Sequence, residues 1–419
     1  MAKRQWAVGL ENMEDDQSVD MAEVEKPEEA VESHLIEVEG LDQQVSDLVD
    51  DGEELSGDTE QLEEYAEAVE KGAEDGGMDE TAARVVDIGV ESIAGKWGIK
   101  RTKIGAENFS GSMKAQSTKV ALESIGETIK EMWKKFVAWI GEIIGKVKDF
   151  WLKYVNAGKS MKKRAEKLLQ RIEKGLGQKD KTEISGGWTT SLLVDQKIDP
   201  DFVISAASSA GKSVADLGRA VGVALDETGK AVASGTDDRK ALVNKGGFYK
   251  QDDATLGKKT AKALGGALPN GATDIKTSAI PGGAYLVTYT KDEIGYTKFV
   301  TVGENSGDKK VATPDEGKMK SAIKAIEQYG DALETSLKEF RKANEGLADL
   351  KNKASAAATK FDEAKADGKD AARTALKMAN AAVSTYTATQ RAATTFLKSG
   401  GQGLIGYVTA GIGAYKKAS

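Results

Sequence analysis

The segment Ser209-Ala210-Gly211-Lys212-Ser213 has residue types that could bind phosphate. A phosphate-binding loop also needs a glycine five residues before Gly211 and a strand leading into it. Position 206 is alanine, and residues 201–207 make a poor strand. We therefore interpret the segment as part of a helix with a solvated lysine, and we predict no nucleotide cofactor.

The composition excludes several other kinds of catalytic site. The chain has no cysteine and one histidine, His34, so thiolate chemistry, a metal site with two imidazoles and a Ser-His-Asp triad outside the N-terminal region are all excluded. The paired carboxylates Asp237-Asp238 and Asp252-Asp253 are interpreted as solvated loop charges. We predict no catalytic residue, no metal and no cofactor, and an enzyme in residues 179–312 is the least favoured alternative.

Charge is divided unevenly along the chain. Residues 1–80 contain 28 acidic and 4 basic residues, whereas residues 81–419 contain 39 acidic and 55 basic residues, so a net charge of −24 precedes one of +16. This division predicts an acidic segment attached to a body that contacts polyanions. We expect a loosely folded helical leader, because its like charges repel one another. The residues Asp50-Asp51-Gly52 predict a turn within it.

The strongest helical periodicity lies in residues 117–155. Apolar side chains recur there every three or four residues, which predicts one long amphipathic helix. They are Leu122, Ile125, Ile129, Met132, Phe136, Trp139, Ile143, Val147, Phe150 and Tyr154. Asn156-Ala157-Gly158 predicts a helix break, and a second helix with outward basic residues follows. Residues 108–178 are therefore predicted to form a basic, tryptophan-containing helical hairpin.

Basic side chains of this hairpin are the candidate polyanion-facing residues. They are Lys134, Lys135, Lys146, Lys148, Lys162, Lys163, Arg164, Lys167 and Arg171. Such side chains neutralise phosphates whatever the base sequence, so contact with DNA would be non-specific. Two other interpretations stay open: the apolar stripe packs into a protein core, or Trp133, Trp139 and Trp151 face a membrane surface.

The remaining sequence predicts a small α+β domain over residues 179–312 and a C-terminal helical hairpin over residues 313–419. Alternating segments around Lys291–Gly295 predict a β-hairpin over residues 284–302 with a five-residue loop. The C-terminal hairpin ends in a Gly-rich apolar tail, residues 400–415. The fold class is mainly α, with long amphipathic helical hairpins flanking the α+β domain and an acidic helical or disordered leader over residues 1–107.

Several runs of residues carry a resemblance to a known family. They are Leu122-Glu-Ser-Ile-Gly-Glu-Thr-Ile-Lys, Trp133-Lys-Lys-Phe, Val147-Lys-Asp-Phe-Trp-Leu-Lys-Tyr and Lys162-Lys-Arg-Ala-Glu-Lys-Leu-Leu. With an acidic leader before a basic body, they resemble the internal head (prohead core) proteins of large tailed bacteriophages. The resemblance implies a structural virion protein that assembles with other prohead core and capsid proteins. It also implies cleavage by the phage maturation protease and retention with the genomic DNA.

The resemblance also implies a cleavage pattern, which is a cut after glutamate with a small residue two positions earlier. Gly105-Ala106-Glu107 fits, as do Gly89-Val90-Glu91 and Ala121-Leu122-Glu123. We expect the cut after Glu107, because its glycine-bounded segment is predicted to be exposed whereas Glu123 lies in the long helix.

No secretory signal and no apolar run of about 18 residues are evident. The sequence therefore predicts a protein made in the cytoplasm. The resemblance implies that this is the host cytoplasm and that the protein is located in the virion, inside the capsid, after removal of an acidic propeptide. The alternative function is a membrane-active protein that acts through the tryptophan- and lysine-rich helix at infection.

Overall fold

The computed structural model describes residues 27–101, 114–234, 271–291, 294–301, 310–335, 338–363 and 366–417. Helices dominate these residues, and short antiparallel sheets lie beside them. The prediction of a mainly α protein with a small α+β region is confirmed. The boundaries of the four predicted domains stay a prediction.

The acidic segment forms helices α1 (Pro27–Glu74) and α2 (Glu80–Lys96), and α1 lies along α3 (Lys114–Glu173). Apolar side chains of α1 recur every seven residues, the spacing of helices packed side by side. These side chains, which we call the heptad stripe, are Leu48, Leu55, Leu62 and Val69, and all are buried. The expectation of a loosely folded leader is wrong for this part of the segment, because an apolar stripe anchors α1 despite its charge. The turn at residues 50–52 is also wrong, since α1 is continuous there.

Helix α3 runs without interruption over 60 residues, about 90 Å at 1.5 Å per residue. The predicted break at residues 156–158, and with it the hairpin over residues 108–178, is wrong. Gly158 is a packing position: a Cβ there would lie 2.7 Å from the carbonyl oxygen of Gly330 on a neighbouring helix. The glycine lets two helices cross closely, and buried Tyr154 and Met161 continue the apolar stripe across it.

The rest of the helical body consists of α4 (Pro200–Ser234), α5 (Glu316–Thr335), α6 (Lys338–Glu363) and α7 (Ala366–Gly413). Helix α7 is central, because it contacts α4, α5 and α6 and every residue from 378 to 390 is buried. Its alanine- and threonine-rich sequence suits a helix that is enclosed on all faces. The predicted Gly-rich tail is wrong for residues 400–413, which are the last turns of α7.

The α+β region contains small antiparallel sheets. Strands β5 (Thr273–Ile280), β6 (Ala284–Lys291) and β7 (Ile294–Thr301) form a meander, and the predicted hairpin is confirmed over its described residues, 284–291 and 294–301. Lys291 pairs with Ile294, so the strands extend into the predicted five-residue loop. The other strands form two-stranded sheets. They are β1 (Leu176–Lys179) with β9 (Tyr415–Lys417), β2 (Glu183–Ser185) with β8 (Lys310–Ala312), and β3 (Leu193–Val194) with β4 (Lys197–Ile198).

The turn between β3 and β4 holds two non-glycine residues in the left-handed region, Asp195 at φ +48° and Gln196 at φ +64°. Two-residue turns of this kind favour glycine at the second position, because a side chain costs about 1 kcal/mol or more there. We expect Gln196→Gly to raise the free energy of unfolding by about 1 kcal/mol in urea titrations. Lys197→Gly, at the exposed first residue of β4, should instead lower it; equal effects of both changes would contradict the strain.

Candidate polyanion interface

The predicted cleavage residues, Gly105, Ala106 and Glu107, lie outside the described residues. The two alternative sites are placed differently, because Glu91 lies within α2 and Glu123 within α3. Helical backbone is a poorer site for proteolytic nicking than an exposed loop. Placement therefore disfavours both alternatives and leaves the cut after Glu107 as a prediction.

Two of the four candidate lysines in the first two-thirds of α3 lie close to an acidic or polar partner. Lys134 pairs with Glu131 one turn earlier at 2.5 Å, and Lys146 donates a hydrogen bond to Gln44 of α1 at 3.0 Å. Lys135 is half-buried, and the Lys148 side chain is not described. Lys134 is therefore partly neutralised by an acid, whereas the hydrogen bond to the neutral Gln44 leaves the charge of Lys146 in place.

The last part of α3 presents basic residues in a single row. Lys159, Lys163, Lys167 and Arg171 recur every four residues, and Lys174 follows three residues later, just beyond the helix. Side chains at this spacing share one face of a helix. Lys167 is half-buried and the other four are exposed. We call these five residues the basic row.

The basic row differs from the sequence-based set at both ends. The sequence-based set includes Lys163, Lys167 and Arg171 but not Lys159 or Lys174. Both could have been found by extending the four-residue spacing in each direction. Within the described residues, the structure shows no ion pair to any member of the row, although the exposed Glu166 and Glu173 flank it.

Lys162, which the sequence predicts to face a polyanion, forms ion pairs with two acidic side chains of α5. Its Nζ lies 2.9 Å from Glu334 and 3.0 Å from Asp331. The hydrogen bond with Glu334, followed by that with Asp331, raises the pKa of Lys162 above its ordinary value. Arg164 is half-buried. Lys162 is therefore a helix-packing residue, and the polyanion-facing assignment is corrected for it.

The candidate membrane-facing tryptophans are core residues where their side chains are described. Trp133 is 5% exposed and Trp139 is 4% exposed. The indole N–H of Trp139 donates to the carbonyl of Leu48 at 2.6 Å, and its ring lies 5.2 Å from that of Phe136. The Trp151 side chain is not described. The membrane-facing assignment is therefore corrected for Trp133 and Trp139, and the interpretation of the stripe as a core face fits.

The segment that resembled a phosphate-binding loop lies in the middle of α4, with Lys212 exposed on a continuous helix. A phosphate loop needs a strand-to-helix turn, which is absent from residues 200–234. Across the described residues, no group of three or more His, Cys, Asp or Glu side chains could hold a metal ion. None of the described helices is long and apolar enough to cross a bilayer.

Comparison with known proteins gives one match. The family model described as phiKZ-like phage internal head proteins matches residues 40–410. No curated protein and no solved structure matches the chain. The matched range includes α2 to α6 completely, most of α1 and nearly all of α7, so it includes the basic row and about half of the acidic segment.

Proposed function

We propose that this protein is packed with the genome and contacts DNA through the basic row. The chain belongs to the family of phiKZ-like phage internal head proteins. The family places the protein inside the phage head, where DNA is the dominant polyanion. In this proposal the protein is structural rather than catalytic. The exposed basic row is the observation that supports a DNA contact most directly.

The geometry of the basic row suits backbone contact. From Lys159 to Lys174 the row extends about 22 Å along the helix axis. Duplex DNA carries two phosphates for every 3.4 Å of its axis, so several phosphates come within reach of a row of this length. Contacts to phosphates carry no sequence information, so we expect a row of this kind to bind DNA non-specifically.

We also propose that the maturation protease cuts the chain after Glu107 once the protein has assembled with other core and capsid proteins. The cut would leave residues 108–419 with 50 basic and 36 acidic residues, a net charge of +14. A positive body is retained by DNA through counterion release. Peptide mapping of purified particles tests this step; an intact peptide spanning Glu107 and Asn108 in mature heads would contradict it.

Removing the row should weaken DNA binding with a recognisable salt signature. In the four-site variant Lys159→Gln, Lys163→Gln, Lys167→Gln and Arg171→Gln, we expect the slope of log K against log salt to fall in magnitude by about 3. We expect affinity for a short random-sequence duplex at low salt to fall at least tenfold. Fluorescence anisotropy over a salt series measures both quantities.

A control variant removes the same charge from lysines outside the basic row. Lys134, Lys230, Lys342 and Lys353 each pair with an acid one turn away, and their glutamine variants form the matched set. We expect the control to change the slope by less than about 1, because these lysines are already partly neutralised. Equal loss in both variants would mean that binding follows net charge, and the row would lose its assigned role.

A further inference from the structure

We propose that α1 and α2 stay bound to α3 after the chain is cut between residues 101 and 114. A single cut would then give a two-fragment complex, and release of the basic body proposed above would need a further step that separates the fragments. This inference rests on the proposed cleavage for its biological setting, but its test does not need the natural protease. The partner of the aromatic face of α3 is thus the chain's own N-terminal segment.

The first support is the packing of the Trp139 side chain against α1. Its indole N–H bonds to the Leu48 carbonyl, and a Cβ on Gly52 would lie 2.1 Å from the ring. The backbone of α1 therefore lies directly against the indole, at the one position in that turn without a side chain. Such contact requires close complementarity between the two helices.

The second support is the length of the apolar contact. The heptad stripe is accompanied by Val45, Gly52, Thr59 and Ala66, which repeat at the same interval three residues earlier. Helix α1 runs antiparallel to α3, because Gln44 meets Lys146 whereas Met78, beyond the end of α1, donates its N–H to Thr118 at 3.0 Å. The contact thus extends along more than half of α1. We therefore expect the two helices to stay aligned without the covalent link through residues 102–113.

The third support is that α1 and α2 are joined to each other independently of α3. Lys96 at the end of α2 lies 2.7 Å from Glu54 and 2.5 Å from Asp58. The Trp97 indole N–H donates to the same Asp58 carboxylate at 2.7 Å. The N-terminal fragment would therefore leave or stay as one unit, because the two helices hold each other.

Charge also favours retention. Helix α1 contains 18 acidic residues and one lysine, whereas α3 contains 14 basic and 7 acidic residues. Opposite net charges on adjacent helices attract at moderate ionic strength. A further ion pair at 3.7 Å joins Glu60 of α1 to Lys377 of the central helix α7.

The test is an engineered cut in the full-length chain. A recognition sequence for a site-specific protease is inserted between residues 101 and 114, and the cut protein is analysed by size-exclusion chromatography and native mass spectrometry. We expect both fragments to elute together at the volume of the uncut protein and to separate only in denaturant. Elution of the N-terminal fragment on its own after the cut would overturn the proposal.

A matched pair of variants tests whether the packing of Trp139 against α1 holds the complex. Gly52→Leu should raise the dissociation constant of the cut complex at least tenfold, whereas Gly57→Leu should not, because no atom lies within 4 Å of a Cβ at Gly57. If the uncut Gly52→Leu protein is unfolded, the milder Leu55→Ala is used in its place. Equal retention in all variants would overturn the assigned interface, while the natural cleavage is tested separately by peptide mapping.

Discussion

Replacing Trp139 by alanine is expected to lower the free energy of unfolding by about 3–5 kcal/mol. The side chain is 4% exposed and packs between α1 and Phe136, and its N–H bond to Leu48 ties two helices that are 91 residues apart in sequence. Truncation removes the packing and leaves a cavity against Gly52. Urea unfolding followed by circular dichroism gives the value.

Two further variants separate the causes. Trp139→Phe keeps an aromatic ring and removes the donor, so we expect a loss of about 1–2 kcal/mol. Ile88→Ala removes an apolar side chain that is 62% exposed on α2, and should change stability by less than about 0.5 kcal/mol. A loss below 1 kcal/mol for Trp139→Ala would mean that α1 is not seated on α3.

Replacing Gly400 by alanine is expected to destabilise the protein by about 1–3 kcal/mol, although alanine normally favours a helix. A Cβ there would lie 2.6, 2.8 and 2.9 Å from three ring atoms of Tyr329. That ring is fully buried, and its hydroxyl donates to the Val203 carbonyl at 2.8 Å. The ring has no free direction in which to move, so the helix must shift.

The same substitution elsewhere should have the opposite sign. A Cβ on Gly126 or Gly145 of α3 would meet no atom within 4 Å, so alanine should stabilise by about 0.5–1 kcal/mol at either position. Gly401→Ala should cost less than Gly400→Ala, because its nearest neighbour is the flexible Met161 side chain. Stabilisation by alanine at Gly400 would contradict the tight packing of α7.

The sequence predicts well those features that depend on periodicity. The stripe from Leu122 to Tyr154 forms one helix face, and the alternating residues around 284–302 pair as a hairpin. It fails where glycine has two opposite meanings. Local sequence places Gly52 in a turn, Gly158 in a helix break and Gly400 in a tail, yet each lies inside a helix at a close contact. Local sequence cannot distinguish these cases, because the contacting residue is distant in the chain.

The charge pattern indicates the family but does not predict that the acidic helix α1 packs against α3. The 28 acidic residues of the N-terminal region predict self-repulsion, whereas the seven-residue repeat of Leu48, Leu55, Leu62 and Val69 is the spacing of a packed helix. Burial of that repeat outweighs repulsion between acids on the opposite, solvated face. Likewise, the local sequence does not distinguish Lys162 from the neighbouring exposed lysines. Its ion-pair partners, Asp331 and Glu334, lie 169 and 172 residues away in the chain.

Cross-linking in intact, DNA-filled heads tests most directly whether the protein contacts the genome through α3. Formaldehyde-treated particles are digested, and DNA-linked peptides are mapped. We predict that peptides containing Lys159, Lys163, Lys167 and Lys174 are linked several times more often than those containing Lys230 or Lys353. Equal linkage of all exposed lysines, or no linkage in the basic row, would contradict the account.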